Sequence, residues 1–113
     1  MGARSKKILT TAKREIEILF TNRALADAEE RLGRPIIAVA QTFYEGQVGV
    51  IEVATLLLAG MRAAQRDART GENPATLNDA YDILDEVGFA EVTTVVMTAI
   101  AEVLNYNRDQ EKN

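Results

Sequence analysis

Three acidic side chains, Asp79, Asp82 and Glu86, recur at intervals of three and four residues, so a helix would carry them on one face. Carboxylates grouped in this way could hold a divalent cation, and the adjacent pairs Glu29–Glu30 and Asp85–Glu86 offer the same chemistry. Magnesium sites, however, usually gather carboxylates from separate elements around a phosphate, and no phosphate cradle is visible. Neither G-x-x-x-x-G-K-[ST] nor G-x-G-x-x-G occurs, and Gly46-Gln47-Val48-Gly49 reads as a helix stop and restart. The acidic groups therefore read as solvated helix faces. The 113 residues include no Cys and no His. That removes thiolate nucleophiles, disulfides, imidazole bases and the common zinc and haem ligands. No catalytic, cofactor-binding or metal-ligating set is assigned, and the chain is read as a non-enzyme.

Charge is unevenly placed. The thirteen Lys and Arg and seventeen Asp and Glu give a net −4. Arg4, Lys6, Lys7, Lys13 and Arg14 fall in the first fourteen residues with no acid among them, which leaves 15–113 at a net −9. Residues 1–13 are expected as a basic, flexible N-terminal arm, 14–107 as a single mainly helical domain, and 108–113 as a polar tail. The arm could touch phosphate or fold back on its own acidic body. The second is favoured, because nucleic-acid-binding domains are usually basic as a whole. A helix-turn-helix comparison at residues 33–35 fails for the same chain: Ile36, Ile37, Val39 and Phe43 offer nothing to base edges, and Gln41 stands alone. With no apolar core for a signal near the start, and no apolar run approaching a membrane span, a soluble intracellular protein is expected.

The elements that would position these groups follow from periodicity. In Arg14–Thr21, Ile16, Ile18 and Phe20 alternate with Glu15, Glu17 and Leu19, a strand pattern, and Ile8-Leu9-Thr10-Thr11 is its candidate hairpin partner. A helix capped by Thr21 or Asn22 buries Leu25, Ala28 and Leu32 and stops at Gly33. A second begins at Pro35 and places Ile36, Val39, Ala40 and Phe43 inward. The segment Val50–Ala68 carries a stripe of Val50, Val53, Ala54, Leu57 and Met61, which Leu56 and Leu58 widen beyond one face. Gly60 interrupts it and suits close packing.

After the loop Thr70–Pro74, Thr76 and Asp79 make a capping box for a helix that buries Leu77, Ala80, Tyr81 and Leu84 and ends at Gly88. Phe89 is read as a hydrophobic staple. The last helix buries Val92, Val95, Val96, Ala99, Ile100, Val103 and Leu104, and frays from Asn105. The fold expected is mainly α: a short N-terminal strand or hairpin followed by about five helices in a compact bundle.

The stretch Leu19–Pro35 resembles the small tail-assembly proteins of long-tailed phages and phage-like gene transfer agents. The matching residues are Phe20, Thr21, Ala24, Leu25, Glu29 and Gly33: a strand ending in Phe-Thr, then an Ala-Leu helix with an acidic residue before a terminal Gly. A second block, Leu56-Leu57-Leu58-Ala59-Gly60-Met61-Arg62, resembles the family's Leu-rich segment, with Ala59 and Gly60 its small pair. The third is an acidic helix, a Gly and an Ala/Val-rich helix over Thr76–Leu104. The likeness covers about residues 14–104. Residues 1–13 depart from it, lacking the Gly-containing hairpin turn of usual members, and a match to the family's short form is what the resemblance leads one to expect.

The resemblance implies a helper without catalysis. Such a protein binds the apolar tape-measure protein, keeps it soluble, and aids assembly of tail-tube subunits in the host cytoplasm; a homo-oligomer is expected, through an unpaired strand edge or the wide Leu56–Leu58 surface. The excess apolar helix surface puts the expected partner groove on Phe20, Phe43, Leu56, Leu58 and Met61. Two alternatives are a tail-tube or tail-completion subunit retained in the particle, and, more weakly, a DNA-binding regulator using the basic arm.

Overall fold

The computed structural model describes residues 2–111, apart from the side chain of Glu111. Two antiparallel strands, β1 (Arg4–Thr10) and β2 (Glu15–Thr21), lead into α1 (Asn22–Leu32), α2 (Ile36–Tyr44), α3 (Val50–Ala68), α4 (Leu77–Val87) and α5 (Phe89–Glu111). This is the mainly helical fold with an N-terminal hairpin that the periodicity predicts.

The stretch read as a basic arm is therefore largely a strand. Its register pairs Ser5 with Phe20, Lys7 with Ile18 and Leu9 with Ile16, which puts these six on one face of the hairpin. The turn is closed by Thr11, whose hydroxyl accepts from the amides of Lys13 at 3.1 Å and Arg14 at 3.0 Å, a side-chain-stabilised turn that needs no glycine. The basic side chains fold back onto the acidic body. Arg4 meets Asp67 of α3 at 2.8 Å, Lys7 meets Glu102 of α5 at 3.0 Å, and Arg14 meets Glu86 of α4 at 3.8 Å. Lys6 pairs within the hairpin with Glu17 at 3.6 Å. Leu19 shares its face with Glu15 and Glu17 yet is buried, so the simple alternation fails at that position.

Helix α3 is the centre of the molecule and packs against β2, α1, α4 and α5. Every residue from Val53 to Met61 is buried, so the stripe wider than one face is used by neighbours on several sides. The exception is Val50, expected in the core but 53% exposed at the first turn. Gly60 makes one of these contacts possible. A Cβ there would stand 2.8 Å from two ring atoms of Phe20 and 3.2 Å from Cβ of Ile18, closer than packed atoms tolerate, so only hydrogen lets the helix approach the sheet.

Capping explains the boundaries. Thr21 accepts from Ala24 N at 3.1 Å, and Gly33 ends α1 in the left-handed region at φ 67°, donating its amide to Glu29 O at 2.8 Å. Pro35 lies one position earlier than expected, as the N-cap of α2. Thr76 and Asp79 cap each other's amides at the start of α4 as the sequence pattern predicts. Gly88, at φ 106°, lets the chain turn by 115° between α4 and α5.

Two readings of these helices change. Leu77 and Phe89, expected inward, are 36% and 38% exposed, while Ile83, omitted from the expected core, is fully buried. The chain also does not fray at Asn105: α5 continues to Glu111, which absorbs residues 108–111 of the expected polar tail. Lys112, Asn113 and Met1 lie outside the described residues.

Candidate functional site

The residues expected to form a partner groove are mostly interior. Phe20 and Leu56 are fully buried, Leu58 is 2% exposed and Met61 9%, and Phe43 is half-buried against the same core. The wide apolar surface of α3 is spent on the hairpin and the other helices, so these five residues do not line a common groove. The family-like positions likewise have local duties. Phe20 and Gly60 form the close contact between sheet and helix, Thr21 and Gly33 cap α1, and Ala24, Leu25 and Ala59 are buried. Glu29 accepts the amide of Ile36 at 2.7 Å, which ties the end of α1 to the start of α2.

Exposed apolar surface lies elsewhere. On α2, Ile37 is 56% exposed and Tyr44 76%, and at the start of α3 Ile51 is 67% exposed. Ile37, Ala40, Gln41 and Tyr44 sit at i, i+3, i+4 and i+7, a second stripe on α2 beside the buried one of Ile36 and Val39. This second stripe faces α5 across a groove of about 550 Å³, whose floor includes Met97, Ile100 and Leu104. The groove is within the size range of ligand and peptide sites. The chain carries both stripes because α2 is short and apolar nearly all round, with Gln41 and Thr42 its polar members. An amphipathic pattern predicts one buried stripe only, and Ile37 and Tyr44 fall outside it. Their signal was present: two large apolar side chains left over once Ile36, Val39, Ala40 and Phe43 had filled the inner face.

The groove wall is held rigidly on its α2 side. Arg34 donates to Glu52 at 2.5 Å, to Thr42 Oγ1 at 2.7 Å and to the Ala38 carbonyl at 3.3 Å, which binds α2 to the first turn of α3. The other oxygen of Glu52 accepts from Gly49 N at 3.1 Å. The aromatic pair Phe43 and Tyr44 meets edge to face at 5.5 Å, with Phe43 anchored in the core and Tyr44 outside.

The acidic groups considered for metal binding are placed differently. Asp79 caps α4, Glu86 faces Arg14, and among the described residues no three acidic side chains converge on a point where a metal could sit. Hydrogen bonds from Ser5 at 2.5 Å and Lys7 at 3.0 Å hold the Glu102 carboxyl below its ordinary pKa. This cluster ties β1 to α5. A second hollow, between the hairpin and the loop after α3, is walled mainly by polar groups including Arg14, Glu17, Gln65 and Asn73. Among the described residues no single helix is long and apolar enough to cross a membrane. Comparison with protein-family models, with curated proteins and with solved structures found no match to this chain.

Proposed function

We propose that the protein is a non-enzymatic, phage-like tail assembly protein: a chaperone that binds the tape-measure protein in the host cytoplasm and aids tail-tube assembly. The observation that supports a binding role is the apolar groove between α2 and α5, flanked by the exposed Ile37 and Tyr44. Contiguous apolar surface left in water on a small domain, unlike apolar residues exposed singly, is a recurrent mark of a partner surface. A helix laid there would gain on the order of 25 cal/mol per Å² of apolar area before ordering costs. The link to tails comes from the resemblance over Leu19–Pro35 and Leu56–Arg62.

Anchored ends suit a chaperone that must keep a groove open without losing its fold. The Arg34–Glu52 link and the buried inner stripe hold α2 in place while its outer stripe stays available. The basic segment does not favour nucleic acid, since Arg4, Lys6, Lys7 and Arg14 already face carboxylates.

Co-expression with the tape-measure protein of the same tail gene cluster tests the reading. The wild-type chain should raise the soluble fraction of that protein, and Ile37→Asp with Tyr44→Ser should abolish the gain. Unchanged solubility with the wild-type chain would sink the chaperone reading, and stoichiometric recovery of the chain in purified particles would favour a retained tail subunit instead.

A further inference from the structure

The groove between α2 and α5 changes character along its length. On α5 its lining runs Met97, Ile100, Ala101 and Leu104, and then Asn105 and Arg108. Those positions span about three helical turns, roughly 16 Å at 1.5 Å per residue, and they pass from apolar side chains to an amide and a guanidinium. Among the described residues lining the groove, Arg108 is the one that carries charge. Its guanidinium donates to Asn105 Oδ1 at 3.3 Å, a long and exposed bond. Arg4, Lys6, Lys7, Arg14, Arg34 and Arg66, by contrast, each face a carboxylate within the protein, at 2.5–3.8 Å.

The exposed wall of the groove selects a helix over a smaller occupant. Ile37 and Tyr44 stand more than half exposed on one wall. A single acyl chain on the floor would leave both in water, whereas a helix about 10 Å across would cover both walls. The charge selects the helix's polarity. The whole chain is a net −4, and the cations of the hairpin are already paired with carboxylates of the body, so an acidic partner is favoured where a cation such as Arg108 faces it. A helix C-terminus carries partial negative charge of its own, which adds to that of a nearby carboxylate.

We propose that the groove takes an amphipathic helix of about three turns whose C-terminal turn bears a carboxylate, docked with that end against Arg108. This rests on the reading of the groove as the partner surface and adds the chemistry and the direction of what binds there. The apolar stripe gives affinity; Arg108 sets which way round the helix lies.

The test uses the full chain and two labelled Leu/Ala-rich peptides of about 12 residues, a length of some three turns, alike except for Glu or Lys in the last turn. Binding is followed by fluorescence anisotropy. The Glu peptide should bind on the order of threefold more tightly at low salt, as expected for a partly exposed ion pair. That preference should shrink at high salt and reverse in Arg108→Glu, while Ile37→Asp should abolish binding of both peptides. Equal affinities that ignore Arg108→Glu but still vanish in Ile37→Asp would overturn the charge assignment and leave the groove standing. No binding of either peptide, or binding indifferent to Ile37→Asp, would overturn both.

Discussion

The sheet-facing side of α3 and the outer side of α2 are both apolar, and they end in opposite states. Along α3, Leu56, Leu57 and Leu58 vanish into contacts with the hairpin and helices, and Gly60 gives up a side chain so that Phe20 can lie against the backbone. Along α2, Ile37 and Tyr44 remain in water above a groove, even though the helix is pinned at its base by Arg34 and Glu52. The width of an apolar stripe thus says little about docking. A long central helix has neighbours on all sides and uses its width for folding, while a short peripheral helix has core on one side only.

Substitutions should separate these two regions. Phe20→Ala should have the largest effect, a loss of about 3–5 kcal/mol in denaturant unfolding, because it empties a fully buried ring site. Gly60→Ala should come next. The added methyl must displace the Phe20 ring or Ile18, costing about 1–3 kcal/mol, partly offset by about 1 kcal/mol of helix propensity. Repeating it in a Phe20→Leu background should relieve the clash, and strictly additive effects in that double-mutant cycle would place the strain elsewhere.

A smaller effect is expected at the seam between β1 and α5. Ser5 and then Lys7 lower the pKa of Glu102, and Arg4 lowers that of Asp67, so both carboxylates are worth most to the folded state when ionised. Their contribution is fully present above the ordinary carboxylate values of 4.5 and 3.8 and is lost as pH falls through the lowered folded ones. Glu102→Gln should therefore flatten the acid limb of a stability profile measured by urea unfolding; an unaltered limb would mean that other groups govern it. The smallest stability effect belongs to the groove. Ile37→Ser and Tyr44→Ser should each stay within about 0.5 kcal/mol of wild type, as surface substitutions do, although both should cost partner binding.

Much of the architecture was legible because local signals agreed with the fold. Thr21, Gly33, Thr76, Asp79 and Gly88 mark helix ends by chemistry that acts over a few residues, and these marks hold. The bounds of α3 follow from its periodicity in the same way. What was not legible depends on distant partners. Nothing within 1–14 reveals that Arg4, Lys7 and Arg14 would be matched by Asp67, Glu102 and Glu86, so a strand read as an arm. Likewise, the sequence of α3 shows that Leu56 and Leu58 are apolar but not that four neighbours surround them. The groove was not legible because α2 has apolar residues on two faces, and only the position of α5 decides which face is covered.

The claim that α2 and α5 form the partner surface is tested most directly by hydrogen exchange of the chain alone and in complex with the tape-measure protein. Slowed exchange over residues 36–44 and 97–108, with the hairpin 4–21 unchanged, is the predicted result. Slowing confined to the hairpin, with α2 exchanging as in the free chain, would contradict it.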